Sequence, residues 1–263
     1  MTLVAFVSGR SPGLTTSLHV LAATWPPPAQ ALVAELDPDG GTLGLRHQIP
    51  SEPGLTTLAA AGRRGLAPDT VGEHCQRLSD DTAVLLGPVA PDRAASALAV
   101  LGPRLGVALD AMAGVDVLAD CGRIHPRSPS ADVVRAARYV VIVVTPTLEG
   151  VAQAQSRLAG LDLPPGRLAV MTVGRRPYDP IEVANALQVA VLGSLADDRR
   201  AALELNAGRL PRRSELWQSA TALGAELAAR LVPLGVAADQ ESAAGPSALP
   251  LAVPSADPAG NRL

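Results

Sequence analysis

The stretch Val7–Ser17, VSGRSPGLTTS, decides how the rest of the chain is interpreted. It follows an apolar run, Leu3–Val7, and leads into apolar residues at helical spacing, Leu18, Leu21 and Trp25. An apolar strand, a turn of small residues and a hydroxyl pair at the start of a helix form the layout of a phosphate-binding loop. In such a loop, backbone N–H groups and the positive end of the helix dipole face the anion. The stretch therefore predicts an anion site where the first strand meets the first helix.

The loop lacks the lysine that such a motif normally carries, because Leu14 stands in its position. All 22 basic residues are arginines, so no lysine from elsewhere in the sequence can approach a phosphate. A general bias towards arginine, alanine, glycine and proline explains that absence by itself. Arginine supplies the charge without the compact ammonium geometry. Arg10, inside the loop, is the candidate compensating cation, and a solvated surface side chain is the alternative interpretation for it.

Composition and charge disfavour several other classes of protein. The net charge of -3 argues against general coating of nucleic acid, and two Trp, two Tyr and one Phe are too few for base-stacking platforms. Cys75 and Cys121 form no metal-ligand spacing, which favours a reduced, cytoplasmic setting. No apolar run reaches the roughly 20 residues that span a bilayer, so we expect no direct membrane insertion.

Strand-like apolar runs alternate with helical patterns along the chain. This alternation predicts right-handed βαβ units and an α/β fold, with a mostly parallel sheet of about seven strands covered by helices on both faces. The domain is expected to occupy residues 1–234, and the Pro/Ala/Ser-rich tail 235–263 is expected to be disordered. After Leu3–Val7, the predicted strands are Ala31–Leu36, Thr82–Gly87, Val115–Ala119, Tyr139–Val144, Leu168–Val173 and Val189–Leu192.

Helices are predicted between these strands from apolar residues at helical spacing. The segment between residues 42 and 81 is the least regular part, and only a weak helix is predicted there, near Asp69–Leu78. The other predicted helices cover 91–113, interrupted at Gly102-Pro103, then a helix through Leu158, Pro180–Leu187, Arg199–Leu205 and Ser214–Leu231.

Acidic residues end two of the predicted strands, where an α/β sheet binds its ligands. Glu35 and Asp37 end the second strand, and the alternative interpretation is a simple Pro-Asp-Gly turn. Asp120 follows the strand Val115–Ala119 and is itself followed by Gly122. A phosphate-loop protein keeps the Asp that orders its magnesium shell at such a strand end.

Taken in order over roughly residues 1–234, these motifs resemble the ParA/MinD family of deviant Walker ATPases. The family's loop reads Lys-Gly-Gly-x-Gly-Lys-Thr-Thr, and the segment from position 9 to 16 occupies that register. Gly13, Thr15 and Thr16 match the motif. Gly9 stands in the place of the signature lysine that reaches across a dimer, and Leu14 in the place of the P-loop lysine.

The resemblance implies roles for particular residues. Thr15 and Asp120 would hold Mg²⁺, and Asp37 would lie near the γ-phosphate and its attacking water. The family commonly reads adenine with an Asn after its sixth strand, whereas this chain has Val173-Gly174 there. The implied nucleotide-binding residues are Gly9, Arg10, Ser11, Gly13, Leu14, Thr15 and Thr16.

Proteins of this family position plasmids, chromosomes, septa, flagella and pili. Because both lysines are missing, we expect a dimeric scaffold or regulator that binds ATP with Mg²⁺ weakly or not at all. The alternative is an active ATPase that uses Arg10 or a partner's arginine. A Rossmann-type dinucleotide enzyme is disfavoured, because Gly9 and Gly13 do not fit Gly-x-Gly-x-x-Gly.

The expected partners are a second copy of the chain and a protein of a positioning, pilus, flagellar or division system. DNA is possible through Arg209, Arg212 and Arg213, but an ordinary solvated arginine face is favoured. Prolines at every fourth position from Pro246 to Pro258 prevent an amphipathic membrane helix in the tail. Recruitment to a membrane or nucleoid would therefore go through a partner.

Overall fold

A single sheet organises the computed structural model of this chain, which describes residues 2–10, 13–164 and 166–231. Its order is β3-β4-β2-β5-β1-β6-β7-β8, and every neighbouring pair is parallel except β3 with β4. The strands are β1 (Leu3–Ser8), β2 (Gln30–Glu35), β3 (Gln76–Arg77), β4 (Ala83–Leu85), β5 (Val115–Arg123), β6 (Tyr139–Val144), β7 (Leu168–Val173) and β8 (Ala190–Leu195).

The helices of the described residues connect these strands and cover the sheet. They are α1 (Leu14–Ala23), α2 (Leu43–His47), α3 (Leu55–Ala61), α4 (Pro68–Glu73), α5 (Pro91–Leu101), α6 (Pro103–Asp110), α7 (Ala131–Ala136), α8 (Leu148–Leu158), α9 (Pro180–Leu187), α10 (Arg199–Asn206) and α11 (Glu215–Leu231). No helix in the described ranges combines the length and the apolar character that crossing a membrane requires.

Side chains of β1 alternate between two apolar clusters, one on each face of the sheet. Leu3, Ala5 and Val7 belong to the cluster that contains residues of α3, α5, α6, α7 and α9. Val4 and Phe6 belong to the other cluster, with residues of α1, α10 and α11. Successive side chains of a strand point to opposite faces, and a parallel sheet is stable when both faces are covered. The predicted α/β architecture, with helices on both faces, is confirmed.

All seven predicted strands form, and the sheet contains one strand, β3, that was not predicted. This two-residue strand pairs antiparallel with β4 at the edge of the sheet. It lies where the sequence predicts a helix over residues 69–78, and the helix α4 in fact ends at Glu73. The segment after β2 also contains α2 and α3, which were not predicted because they have only five and seven residues. Such short helices carry little periodic signal.

The interruption predicted at Gly102-Pro103 separates α5 from α6. Gly102 has φ 52°, a conformation that glycine adopts without a Cβ penalty, and Pro103 opens the next helix. The predicted tail, residues 235–263, lies outside the described residues, so its disorder stays a prediction.

Strand register brings the carboxyl ends of three strands together. β1 lies between β5 and β6, and β2 lies on the other side of β5. Asp120 of β5 is opposite both Phe6 of β1 and Glu35 of β2. The loop after β1 therefore faces the acidic ends of β2 and β5. This edge is where open α/β sheets bind ligands.

Candidate functional site

The loop after β1 ends in a backbone conformation that favours glycine. Gly13 has φ 62° and ψ 31°, and it precedes the first residue of α1. Ser17 donates both its N–H and its hydroxyl to the Gly13 carbonyl, at 2.8 and 3.0 Å. No side chain of the described residues caps this helix end. The first-turn N–H groups of α1 thus remain available to an anion. The predicted site residue Ser11 lies outside the described residues.

Thr15 and Asp120 come together although they are 105 residues apart in sequence. The Thr15 hydroxyl donates to Asp120 Oδ2 at 2.6 Å, and the Gly122 N–H donates to Asp120 Oδ1 at 3.1 Å. Burial raises the pKa of Asp120 to about 7, against the opposing effect of the Thr15 hydrogen bond. A carboxylate beside a hydroxyl is an oxygen donor set that suits Mg²⁺. These two residues fit the magnesium role that the sequence resemblance implies for them.

Asp37 lies directly against Gly122, near the carboxyl end of β5. A Cβ atom on Gly122 would fall 2.1 Å from Asp37 Cγ, and Gly122 also has φ +62°. Only glycine fits here, because both the space and the backbone conformation exclude a side chain. The charge of Asp37 contributes to the raised pKa of Asp120. Burial raises the pKa of Asp37 as well.

Glu35 has a different environment from Asp37. It is buried, and its Oε1 accepts the N–H groups of Thr42 and Leu43 at 2.7 and 2.9 Å. Its Oε2 accepts the Gly87 N–H at 3.2 Å. Burial raises the pKa of Glu35 although these three donors oppose the shift. Glu35 therefore joins the loop after β2 to the loop after β4, and Asp37 is the carboxylate presented at the site.

Position 9 is closed by the backbone of α8. A Cβ atom on Gly9 would lie 3.0 Å from the backbone nitrogen of Ala154 and 3.1 Å from the carbonyl carbon of Gln153. Even a methyl group there requires a shift of the helix. A side chain at the position of the signature lysine would therefore require the backbone of α8 to move by a few tenths of an ångström.

Position 14 faces apolar core. Leu14 is 3% exposed and belongs to the buried cluster that contains Phe6 and Leu18. A charged group in such surroundings is unfavourable unless it is paired. The second lysine position of the motif is therefore part of the packing between α1 and the sheet.

Arg10 is exposed and lines two clefts beside the loop. The first, of about 340 Å³, lies between Gly9, Arg10 and the segment that joins β6 to α8. The second, of about 520 Å³, is also lined by Arg123, Gln153 and Arg157. Three arginine residues thus line one opening next to the phosphate-type loop. Arg123 is additionally paired with Asp39 in the turn after β2.

Sequence reasoning missed a cation that contacts Thr16. Arg46 Nη1 in α2 donates to Thr16 Oγ1 at 3.1 Å and to Asn206 Oδ1 in α10 at 3.0 Å. Burial lowers the pKa of Arg46, while the charges of Glu35 and Asp120 oppose that shift. Arg46 is therefore a guanidinium close to Glu35 and Asp120, while Arg123 lies beside Asp39 and Asp37. No sequence signal identified Arg46, because α2 itself was not predicted.

The remaining predicted positions lie farther along the same sheet edge. Gly174, where the resembling family commonly has Asn, lines a cleft of about 440 Å³ with Ser194 and Asp197. The Gly174 carbonyl accepts the hydroxyls of Thr172 and Ser194 at 2.9 and 2.8 Å. Of the arginines considered for DNA, Arg212 lies over the Trp217 ring at 5.8 Å.

Comparison with known proteins places this geometry in a fold class. No protein-family model and no curated protein sequence matches the chain. Solved structures do match. The cell division ATPase MinD of Pyrococcus furiosus has a TM-score of 0.68 at 16% identity, over 87% of this chain and 99% of that chain.

Two further solved structures match over similar lengths. A ParA family ATPase from Chlorobium tepidum TLS has a TM-score of 0.65 at 14% identity, over 85% of this chain and 98% of that one. Cyanothece McdA in complex with ATP has a TM-score of 0.63 at 18% identity, over 87% and 96%. The chain thus has the fold of the ParA and MinD ATPases, and the resemblance predicted from its motifs is confirmed at the level of fold.

Proposed function

We propose that this chain is a ParA/MinD-like positioning or partitioning protein with a degenerate nucleotide site, which binds ATP with Mg²⁺ weakly or not at all. In this proposal it acts as a dimeric scaffold or regulator. The observation that carries the proposal is the environment of the two lysine positions. Gly9 is packed against the α8 backbone, and Leu14 is buried in apolar core.

Loss of these two cations acts chiefly on catalysis. Phosphoryl transfer depends on positioning and on neutralising the charge that develops on the phosphoryl oxygens. One well-placed donor of this kind contributes about 3 to 4 kcal/mol to transition-state stabilisation. Because both positions lack a side-chain cation, hydrolysis at this site is expected to be very slow.

Binding is less sensitive to that loss. Gly13 still presents the uncapped start of α1 to an anion, and Thr15 still pairs with Asp120. These two side chains would hold Mg²⁺, which neutralises phosphate charge when it is bound. The proton that the raised pKa of Asp120 favours near neutral pH competes with the metal. Weak, Mg²⁺-dependent and pH-dependent nucleotide binding is the expected behaviour.

Exposed apolar side chains near the site support a role in protein contacts. Leu148 at the start of α8 is 69% exposed, and Ile181 at the start of α9 is 60% exposed. The two helix starts are joined by the Tyr178 N–H, which donates to the Pro146 carbonyl at 3.2 Å. This surface would serve a second copy of the chain or a partner of a positioning, pilus, flagellar or division system. Such a partner would also recruit a cytoplasmic protein to a membrane or nucleoid.

The proposal is tested by titrating a fluorescent ATP analogue into wild type and Thr15→Ala, with Mg²⁺ and with EDTA. We expect weak binding by wild type that depends on Mg²⁺ and is lost in Thr15→Ala. Thr221→Ala is the matched control, because this exposed threonine on α11 only donates to the Trp217 carbonyl. Equal binding by all three proteins would contradict the proposed site, and absence of binding to wild type would leave only the scaffold. Light scattering with and without nucleotide then measures dimerisation.

The alternative function is an active ATPase that uses Arg10 or a partner's arginine. The cleft bordered by Arg10, Arg123 and Arg157 favours it, because these guanidinium groups lie beside the loop. Phosphate release above background that disappears in both Asp37→Ala and Arg10→Ala, but not in Arg213→Ala, would support this alternative. A flat baseline with every candidate partner would exclude it.

A further inference from the structure

We propose that His19, His47 and Asp80 form a binding site for a transition-metal dication of the Zn²⁺ type. The site is independent of the nucleotide function proposed above. The three residues come from α1, from α2 and from the turn between β3 and β4. One ligand atom from each lies within 4.8 Å of the others. Two imidazoles and a carboxylate are ligands that Zn²⁺ takes in proteins.

The cluster is enclosed. The His19 side chain is fully buried, the Asp80 side chain is 1% exposed, and His47 is 8% exposed. His19 Nε2 lies 2.6 Å from Asp80 Oδ2, and the two histidine rings meet edge to face with centroids 5.0 Å apart. In a tetrahedral site with metal–ligand bonds of 2.0–2.1 Å, neighbouring ligand atoms lie about 3.4 Å apart. Small movements of these side chains would therefore accommodate an ion.

Two ring nitrogens in this cluster lack a hydrogen-bond partner among the described residues. They are His19 Nδ1 and His47 Nε2, and both are buried. A buried polar atom without a partner is destabilising, so native proteins rarely contain two together. A metal ion bound by the cluster removes part of this deficit, because it takes a nitrogen lone pair as a ligand. The unpaired nitrogen on His47 is thus the observation that points to a ligand.

Surrounding groups orient the ligands as they do around protein metal sites. Asp80 Oδ1 accepts the Thr82 N–H at 3.1 Å, which leaves Oδ2 facing His19. His47 Nδ1 lies 2.8 Å from Ser79 Oγ, which leaves Nε2 as the free nitrogen of that ring. Hydrogen bonds to the second ring nitrogen and to the carboxylate are the usual outer contacts of metal-bound His and Asp.

The chemistry of the donors distinguishes this site from that at Thr15 and Asp120. Mg²⁺ prefers oxygen ligands and keeps several waters, whereas imidazole nitrogen suits Zn²⁺ and its neighbours in the first transition row. An ion at the cluster would replace the proton that His19 and Asp80 share. A water molecule would complete a tetrahedral ion as its fourth ligand.

The cluster includes a residue of α1, so a bound ion would affect how other segments pack against this helix. His19 lies one helical turn beyond Thr15 and Thr16 in α1. His47 directly follows Arg46, whose guanidinium binds Thr16 and Asn206. A bound ion would therefore tie α2 and the β3–β4 turn to the helix that carries the phosphate-type loop.

The test is a titration of the chelator-treated full chain with Co²⁺, followed by its visible absorption, and then competition with Zn²⁺. We expect about one equivalent of Co²⁺ to bind with the intense bands of a tetrahedral site, and Zn²⁺ to displace it. His47→Gln is expected to weaken binding at least tenfold. The matched control is His74→Gln, because His74 is a partly buried histidine that pairs with Thr57 outside the cluster.

A second variant keeps the test valid if His47→Gln does not fold. Ser79 is exposed at the surface, so Ser79→Ala is expected to fold and to weaken Co²⁺ binding about tenfold through the lost contact to His47. Failure of wild type to bind Co²⁺ would overturn the proposal. So would binding that is kept in both cluster variants but lost in Asp120→Asn, because the ion would then lie at the phosphate-type loop.

Discussion

The two sides of the candidate nucleotide site differ in what they retain. On the strand side, Asp37 and Asp120 stand at the ends of β2 and β5, and Asp120 is paired with Thr15. On the loop side, Gly9 is closed by α8 and Leu14 belongs to the core. Burial and the nearby charges of Asp37 and Glu35 raise the pKa of Asp120, and neither lysine position of the loop supplies a cation beside it. The two sides therefore contrast a carboxylate that is hydrogen-bonded to Thr15 with two loop positions that contact α8 and the apolar core.

The largest expected effect is at Leu14. Leu14→Lys introduces the P-loop lysine of the motif, but it also places an ammonium group in apolar core. We therefore expect the free energy of unfolding to fall by about 4 kcal/mol. Urea denaturation measures this loss. Leu45→Lys is the control, because Leu45 is 63% exposed and should change stability by less than about 0.5 kcal/mol. A stable Leu14→Lys protein that binds ATP tightly would show that the position still faces the phosphate.

Asp120→Asn tests the strand side through pH. The pKa of this carboxyl is about 7 in the folded protein against an ordinary 3.8, so the folded state holds the proton more tightly. Stability from this group is present at acid pH and is lost as pH rises from about 4 to about 7. In EDTA, we expect Asp120→Asn to be more stable than wild type by about 2 to 4 kcal/mol at pH 8 and equal to it at pH 4.

Thermal denaturation between pH 4 and pH 8 measures the difference in stability between Asp120→Asn and wild type. Each kcal/mol is expected to move the midpoint by about 2 to 4 °C in a domain of this size. Asp110→Asn, at a carboxylate that accepts the Leu3 N–H away from the site, is the control. Parallel pH profiles for wild type and Asp120→Asn would contradict the shifted pKa.

Gly9→Ala tests the closed position on the loop side. Its methyl group would meet α8 backbone at 3.0 Å, and overpacking of this kind costs about 1 to 3 kcal/mol. Gly72→Ala in α4 is the control, because a Cβ there has no atom within 4 Å and should leave stability unchanged or raise it by about 0.5 kcal/mol. Chemical denaturation measures the free energy of unfolding of both variants and of wild type. If Gly9→Ala were as stable as wild type, α8 would move aside at little cost in free energy, and position 9 could carry a side chain.

The smallest expected effect is at the exposed ion pair that joins the turn after β2 to the end of β5, on the strand side. Asp39 and Arg123 are both about half exposed, and such pairs contribute less than about 1 kcal/mol. Asp39→Asn should therefore change stability by no more than about 0.5 kcal/mol, and that change should shrink in 0.5 M salt. A loss above 1 kcal/mol would mean that this pair holds the β2 turn against β5.

Much of the architecture was predictable because its signals are local. Each parallel strand contains a short apolar run that the sequence shows directly, although β5 continues past its predicted end at Ala119 to Arg123. The pairing of Thr15 with Asp120 was also predictable, because the order of motifs places both at one sheet edge. In contrast, α2 and α3 have too few residues for a periodic signal, so the environment of Arg46 was not accessible.

The sequence by itself determined the α/β class, the phosphate-type loop, the two missing lysines and the carboxylates at the strand ends, because each of these is a pattern within short stretches of residues. Only the tertiary structure decided that Gly9 is closed by α8, that Arg46 rather than Arg10 contacts Thr16, and that His19, His47 and Asp80 meet. These three features join segments far apart in the chain. Their geometry follows from how helices pack on the sheet, and no local pattern records it.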